Sequence, residues 1–206
     1  MYSDRGSWVF IHIPKAAGTS VRNALMKHDD SNNQYWGPKF VPQLQRTVDK
    51  AHIQAHELYA FPELETRIRT HLVFAVVRNP MDRFISAYNY TRSRRIHDMS
   101  VGDLLKLITE YPALTVADMR FVHFCPQKNF LVLPNGKMVA DFVTSNPNAL
   151  VTMVANHMGM AIVMGHDNES SKAGSLRAED LTTEEKGLIN AFYAKDYLYF
   201  GDHFGR

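Results

Sequence analysis

The chain has one cysteine, Cys125, so no intrachain disulfide can form, which fits a reducing compartment. It has little charge of one sign: a formal net charge of +2 over 206 residues argues against a dedicated nucleic-acid binder. With 45% hydrophobic residues it also lacks the composition of a disordered chain. Long apolar runs are missing. The longest, at 8–13 and 72–77, fall far short of the about 20 residues that span a bilayer. The opening Met1-Tyr2-Ser3-Asp4-Arg5-Gly6-Ser7 is polar and has no signal-peptide core. There is no internal repeat, low-complexity tract or linker, and the length suits one core. These absences lead us to expect a single domain over residues 1–206, soluble and cytoplasmic, with no membrane anchor and no nucleic-acid partner.

Two apolar runs organise what is present. Trp8-Val9-Phe10-Ile11-His12-Ile13 is β-branched and aromatic and stops at Pro14, which predicts a buried strand and a turn. Helical spacing resumes at Val21, with Thr19 or Ser20 as its cap. Leu72-Val73-Phe74-Ala75-Val76-Val77 predicts a second strand buried on both faces. Arg78-Asn79-Pro80 ends it, and 81–95 continues as a helix with Pro80 near its first turn. Elsewhere the pattern predicts a surface loop at 29–42 and a short helix at 49–58. Helices are expected at 100–109, 146–158 and 182–200, a strand at 138–143, and a loop at 167–178. Strand–loop–helix units of this kind predict an α/β fold with three layers around a mostly parallel central sheet.

The first of the two loops, Pro14-Lys15-Ala16-Ala17-Gly18-Thr19-Ser20, has small residues and leads into a helix. Helix N-termini present free N–H groups and a positive dipole end, which favour an anion. Lys15 adds a charge, and Thr19 and Ser20 add hydroxyl donors. The lysine precedes the glycine, unlike the G-x-x-x-x-G-K-[ST] order of triphosphate-binding loops. By itself the segment reads equally as a lysine in a surface turn before a capped helix. In the second loop, Arg78 stands at the carboxyl end of a predicted strand, where open α/β sheets place ligands, and its planar fork suits a phosphate. Ser86 lies about two helical turns further on, at the spacing that shares a face with Asp82. A local ion pair with Asp82 is the plainer alternative for Arg78, and for Arg83 a local ion pair is the favoured reading.

Together the loops resemble the nucleotide-binding signatures of carbohydrate-type sulfotransferases. Phe10-Ile11-His12-Ile13-Pro14-Lys15-Ala16-Ala17-Gly18-Thr19-Ser20 is similar to their first signature, and Val76-Val77-Arg78-Asn79-Pro80-Met81-Asp82-Arg83-Phe84-Ile85-Ser86-Ala87-Tyr88 to their second. Phe192-Tyr193-Ala194-Lys195-Asp196-Tyr197-Leu198-Tyr199-Phe200-Gly201 resembles their aromatic and acidic ending. The resemblance implies a P-loop-type sulfotransferase domain. Its co-substrate would be 3′-phosphoadenosine 5′-phosphosulfate (PAPS), its product the 3′,5′-bisphosphate (PAP), and no metal would be needed. It further implies that Lys15 contacts the bridging oxygen and the 5′-phosphate. Ala16, Ala17, Gly18, Thr19 and Ser20 would cradle that phosphate, and Arg78 and Ser86 would bind the 3′-phosphate. Two departures stand out: Ala17 replaces a glycine that many relatives carry, and Thr144-Ser145-Asn146 stands where relatives often show an Arg-Phe-Glu type sequence.

Sulfuryl transfer to a hydroxyl needs a general base, which a neutral histidine suits. Relatives often carry a Lys-His or Gly-His element between the two loops, which implies His52 as the base and His56 as the second candidate. Their i, i+4 spacing on one helix face could suggest zinc, but Glu57 follows His56 and the order is not H-E-x-x-H. His12 reads as a core or near-site residue, and His123, His157 and His166 receive no role. Arg92, Arg94, Arg95 and Lys106 form either a groove for an acidic acceptor or, as favoured, the solvated face of a helix. Asn168 and Ser170-Ser171-Lys172 could fold over the nucleotide or form a plain loop. The expected acceptor is a carbohydrate, lipid or small alcohol hydroxyl, with loops 29–45 and 91–98 shaping its pocket. The alternatives are a kinase with an atypical phosphate loop and a non-catalytic bisphosphoadenosine-binding module.

Overall fold

The computed structural model describes residues 1–165 and 174–204; Asn168 and Ser170-Ser171-Lys172, like His166, lie outside the described residues. In chain order the strands are β1 (Tyr2–Ser3), β2 (Trp8–Ile11), β3 (Pro38–Val41), β4 (Arg46–Asp49), β5 (Leu72–Val76) and β6 (Phe142–Thr144). The first α-helices are α1 (Gly18–Leu25), α2 (Pro62–Thr70), α3 (Pro80–Ser93) and α4 (Val101–Glu110). They are followed by α5 (Leu114–Ala117), α6 (Lys128–Leu131), α7 (Pro147–Met158), α8 (Thr183–Phe192) and α9 (Ala194–Phe200). The chain forms two compact units, Met1–Val77 with Gln127–Asp167, and Arg78–Pro126 with Asn168–Arg206. No helix among the described residues is long and apolar enough to cross a membrane.

The first unit is built on a sheet of order β1-β2-β5-β6. β2 pairs parallel with β5, β5 pairs parallel with β6, and β1 runs antiparallel on β2. Side chains alternate across a strand, and here both faces are covered. Trp8, Phe10, Phe74 and Val76 meet Val21 and Leu25 of α1 and Leu150, Val151 and Val154 of α7. Val9 and Ile11 line the other side with Leu58, Leu64, Ile68 and Phe130. This explains why β2 and β5 are apolar throughout: each fully buried aromatic or branched side chain contributes roughly 1.5–3 kcal/mol. The sheet is mostly parallel with helices on both sides, as the alternation of strands and helices predicts.

Three features of this unit differ from the sequence reading. β3 and β4 form an antiparallel hairpin whose first strand lies inside the expected loop at 29–42. The expected helix at 49–58 is two 3₁₀ turns, Lys50–His52 and Ala55–Ala60. They are separated at Ile53 and Gln54, which have extended backbone with ψ of 129° and 152°. The expected strand at 138–143 is a single antiparallel bridge, Val132 to Met138, followed by the short β6.

The second unit has its own core. Phe84, Ala87 and Tyr88 of α3 pack with Leu104, Leu105 and Ile108 of α4, Ile189 of α8, and Phe121, Phe124 and Tyr193. The expected helix at 182–200 is broken at Tyr193, which is fully buried and donates its hydroxyl to the Phe124 carbonyl at 2.7 Å. Arg83 is built into this core. It is fully buried and donates to the carbonyls of His123 (3.1 Å) and Cys125 (2.7 Å), with its guanidinium 5.1 Å from the Tyr193 ring. Arg92 folds back along α3 to the Tyr88 hydroxyl at 3.2 Å, and Arg94 lies 5.7 Å from the Tyr90 ring.

Candidate functional site

β2 delivers the chain into a turn at residues 14–17 and then directly into α1. Lys15 and Ala17 have φ of 63° and 61°, whereas Ala16 and Gly18 are not among the positive-φ residues. An L-residue in the left-handed region costs roughly 1–2 kcal/mol, and such strain gathers at ligand sites. Alternating handedness also turns successive N–H groups toward one concavity, a backbone arrangement that binds anions. Neither Thr19 nor Ser20 caps α1. Ala17 holds the cap position, with no side-chain hydrogen bond, because the tight turn starts the helix earlier than the hydroxyls suggest. The Val21 N–H bonds the Ala17 carbonyl at 3.4 Å, so the N–H groups of Gly18, Thr19 and Ser20 precede the first helical bond. They sit at the positive end of the dipole. Thr19 is exposed and Ser20 half-buried.

Gly18 is required by its neighbour. A Cβ there would stand 1.9 Å from Cδ2 and 2.2 Å from Nε2 of His12. The His12 ring stacks with Phe10 (5.9 Å, 21°) and with Trp36 (5.8 Å, 18°), and the Arg22 guanidinium sits 4.0 Å from the Trp36 ring. Arg22 is itself fixed to Asn33 Oδ1 at 2.6 Å. His12, one residue past β2, is thus placed directly against the turn.

His52 approaches His12 edge-on, with ring centroids 4.8 Å apart, and its Nδ1 lies 2.9 Å from the His12 carbonyl. A carbonyl only accepts, so Nδ1 carries the proton and Nε2 the lone pair. The ring is 8% exposed. Its 3₁₀ turn is capped by Asp49, whose Oδ1 accepts from the Ala51 N–H at 3.0 Å. Behind it Glu57, itself buried, pairs with Arg46 and accepts from the Gln54 N–H at 2.8 Å. His56 is exposed on the next turn, beyond the extended break, so the two histidines do not share a helix face. Among the described residues no group of three or more His, Cys, Asp or Glu side chains is arranged to hold a metal.

Beside this cluster, in the same unit, Tyr35, Phe40, Lys50, Phe61 and Glu63 line a groove of about 240 Å³. Lys50 stands 5.7 Å from both the Tyr35 and Phe61 rings. Burial pushes the Tyr35 phenol up to about 12, so it remains a neutral hydroxyl. The groove falls in the 29–45 region expected to shape an acceptor pocket, but the hairpin and the 55–63 segment that complete it have no motif to announce them.

The arginine turn begins the second unit. Val77 donates to the Thr144 carbonyl at 2.9 Å, carrying the β5–β6 pairing one residue past the strand, and Arg78 follows it, exposed. Asn79 caps α3 by accepting from the Met81 N–H at 2.9 Å, and Pro80 takes the first helical position. Ser86 is half-buried and Asp82 exposed on that helix. The structure thus gathers Lys15 to Ser20, His12 and His52 within the first unit, leaves His56 outside the cluster, and sets Arg78 and Ser86 on the turn and first helix of the second. Asp49 and Trp36 are members of the first cluster that the sequence reading missed. The only signal was an Asp placed to cap the turn at Lys50.

Comparison with known proteins adds to this geometry. The chain is 28% identical over 84 residues to carbohydrate sulfotransferase 11 of Rattus norvegicus and of Mus musculus, covering 39% of this chain and 22% of each relative. The corresponding Danio rerio protein is 26% identical over 80 residues, with the same shares. The aligned part therefore spans about a fifth of the length of these curated relatives. No solved structure matches. The sulfotransferase family description, however, matches residues 1–201, a span that takes in both turns and both cores. The strained lysine turn and the full-length match lead to one assignment: the chain belongs to the sulfotransferase family.

Proposed function

We propose that the protein transfers the sulfuryl group of PAPS to a carbohydrate hydroxyl by in-line displacement. The observation that carries this reading is the Lys15–Ser20 turn, with its two left-handed residues, a glycine pressed against His12, and three N–H groups ahead of the first helical bond. This donor set fits a phosphosulfate, because it offers backbone and hydroxyl donors around an anion together with one cation. PAPS supplies an activated sulfuryl group whose bond to the bridging oxygen is the one that breaks. Lys15 neutralises charge on the departing nucleotide, and the N–H groups of Gly18, Thr19 and Ser20 hold its 5′-phosphate. Arg78 and Ser86 hold the 3′-phosphate, which distinguishes the donor from ordinary adenine nucleotides. His52, with its lone pair on Nε2, takes the acceptor proton as the new oxygen–sulfur bond forms. Fixed donors are effective here because negative charge moves onto the bridging oxygen in the transition state. The carbohydrate acceptor is supported by the kinship with carbohydrate sulfotransferase 11 and by the aromatic groove next to the His52 turn.

The test compares ligands and variants. PAP raises the melting temperature, whereas ATP with magnesium does not, and sulfate passes from labelled donor to a glycan in an acceptor screen. Lys15→Ala keeps the fold, since Ala bears the same left-handed backbone as Lys, yet turnover falls about 100-fold or more. Arg78→Ala, at an exposed position, keeps the fold and chiefly weakens donor affinity. Normal turnover in both variants refutes the assignment.

A further inference from the structure

The His52 ring is hydrogen-bonded to the backbone at one end and faces a carboxylate at the other. Its Nδ1–H donates to the His12 carbonyl at 2.9 Å. At the other end, Asp49 Oδ2 lies 4.0 Å from Nε2, while Oδ1 of the same carboxylate caps the turn through the Ala51 N–H. We propose that Asp49 is a positioning residue that sets the basicity of His52, its carboxylate standing where the imidazolium formed by proton uptake at Nε2 is stabilised. The inference rests on His52 as the general base and extends that reading to a residue no motif marks.

The separation is too long for a hydrogen bond. It is nevertheless short for Coulomb attraction. An opposite charge within about 4–6 Å shifts a titrating group by about 1–3 pH units, and Asp49 is only 25% exposed, which limits screening. Two other titratable groups lie close: the His12 ring, inclined at 67° to that of His52, and Lys50, on the same turn, 5.7 Å from the Tyr35 and Phe61 rings. The step balances without a further reactant: the acceptor proton passes to Nε2, the acceptor oxygen bonds to sulfur, and the bridging oxygen leaves with its electron pair. The carboxylate then faces a full N–H⁺, which discourages return of the proton before the nucleotide departs.

Asp49→Asn separates charge from structure, because Asn caps as well as Asp and retains the Ala51 bond. The His52 ring signal, identified by its loss in His52→Gln, is titrated by NMR in the whole chain. The midpoint is expected to fall by about one pH unit in Asp49→Asn, with the melting temperature little changed. Asp49→Ser, a neutral capping residue, gives the same fall and serves if the Asn variant folds poorly. An unchanged midpoint in a folded neutral variant overturns the proposal. Rate measurements keep the two readings apart. If the midpoint falls and the acid limb of kcat/KM moves down with it, both stand. If the midpoint falls while the limb stays, the influence of Asp49 on His52 stands and the base assignment fails.

Discussion

Gly18 and Ala17 are neighbours with opposite tolerances. Gly18→Ala places a methyl group inside the His12 ring. The ring stacks with Phe10 and Trp36, so overpacking of about 1–3 kcal/mol is expected. The checks are a lower melting temperature and loss of the stabilisation given by PAP. Ala17, at φ 61° in a cap position without a side-chain bond, is better served by glycine, which adopts that backbone without penalty and caps better than alanine. Ala17→Gly is expected to gain up to about 1 kcal/mol in denaturant unfolding. His97 offers a third residue-scale test. Burial, followed by Arg92, holds its pKa below the ordinary value of 6.5, with Asp98 opposing. The unfolded chain therefore binds the proton more readily than the folded one. Stability from this site is complete above about pH 6.5 and is lost as the pH falls from there through the lowered folded value. His97→Gln removes that component from the pH dependence of the melting temperature. Gln suits the site because its amide can keep a donor on the Thr91 hydroxyl, which now lies 2.9 Å from Nε2.

At the scale of single elements, caps repeat the lesson in milder form. Asn146 Oδ1 accepts from the N–H groups of both Asn148 and Ala149 and opens α7, with Pro147 at its first position. Asn146→Ala is expected to cost about 1 kcal/mol, read from thermal unfolding. The sequence places the starts of three helices at 100, 146 and 182, where capping residues stand, whereas the Thr19 or Ser20 cap expected for α1 is not made. Ser100 opens α4, Asn146 opens α7, and Thr182 with Glu185 closes a capping box on α8. β2 and β5 were legible because both faces are buried and leave uninterrupted apolar runs. What escaped was structure without periodicity. The hairpin is a strand pair whose first strand is exposed except at Val41, so no hydrophobic alternation marks it. α2 is rich in charged residues and buries only Leu64. The His52 turn was mistaken for a helix because its breaking residues, Ile53 and Gln54, are ordinary helix formers that the surrounding packing holds extended. The identity of the lysine loop could be read; its conformation could not, since nothing in the composition of Lys15 and Ala17 favours a left-handed backbone.

Across the whole molecule, each unit draws on two separated stretches of chain. The core of the first is incomplete without Leu150, Val151 and Val154, and β5 lacks its outer partner without β6. A fragment ending at residue 126 is therefore expected to show no cooperative unfolding transition by circular dichroism, because losing several fully buried side chains at about 2–5 kcal/mol each exceeds the stability of a typical domain. The contacts among the described residues divide the chain into two compact units, a division that length and composition alone do not reveal. The return of the chain at Gln127 also has a consequence at the ribosome. Once Leu72–Val76 has emerged, roughly 70 more residues must be translated before Phe142–Thr144 can cover its open edge. At about 5–20 residues per second, an apolar strand waits on the order of several seconds with one side unpaired, the interval in which a nascent chain most needs a chaperone.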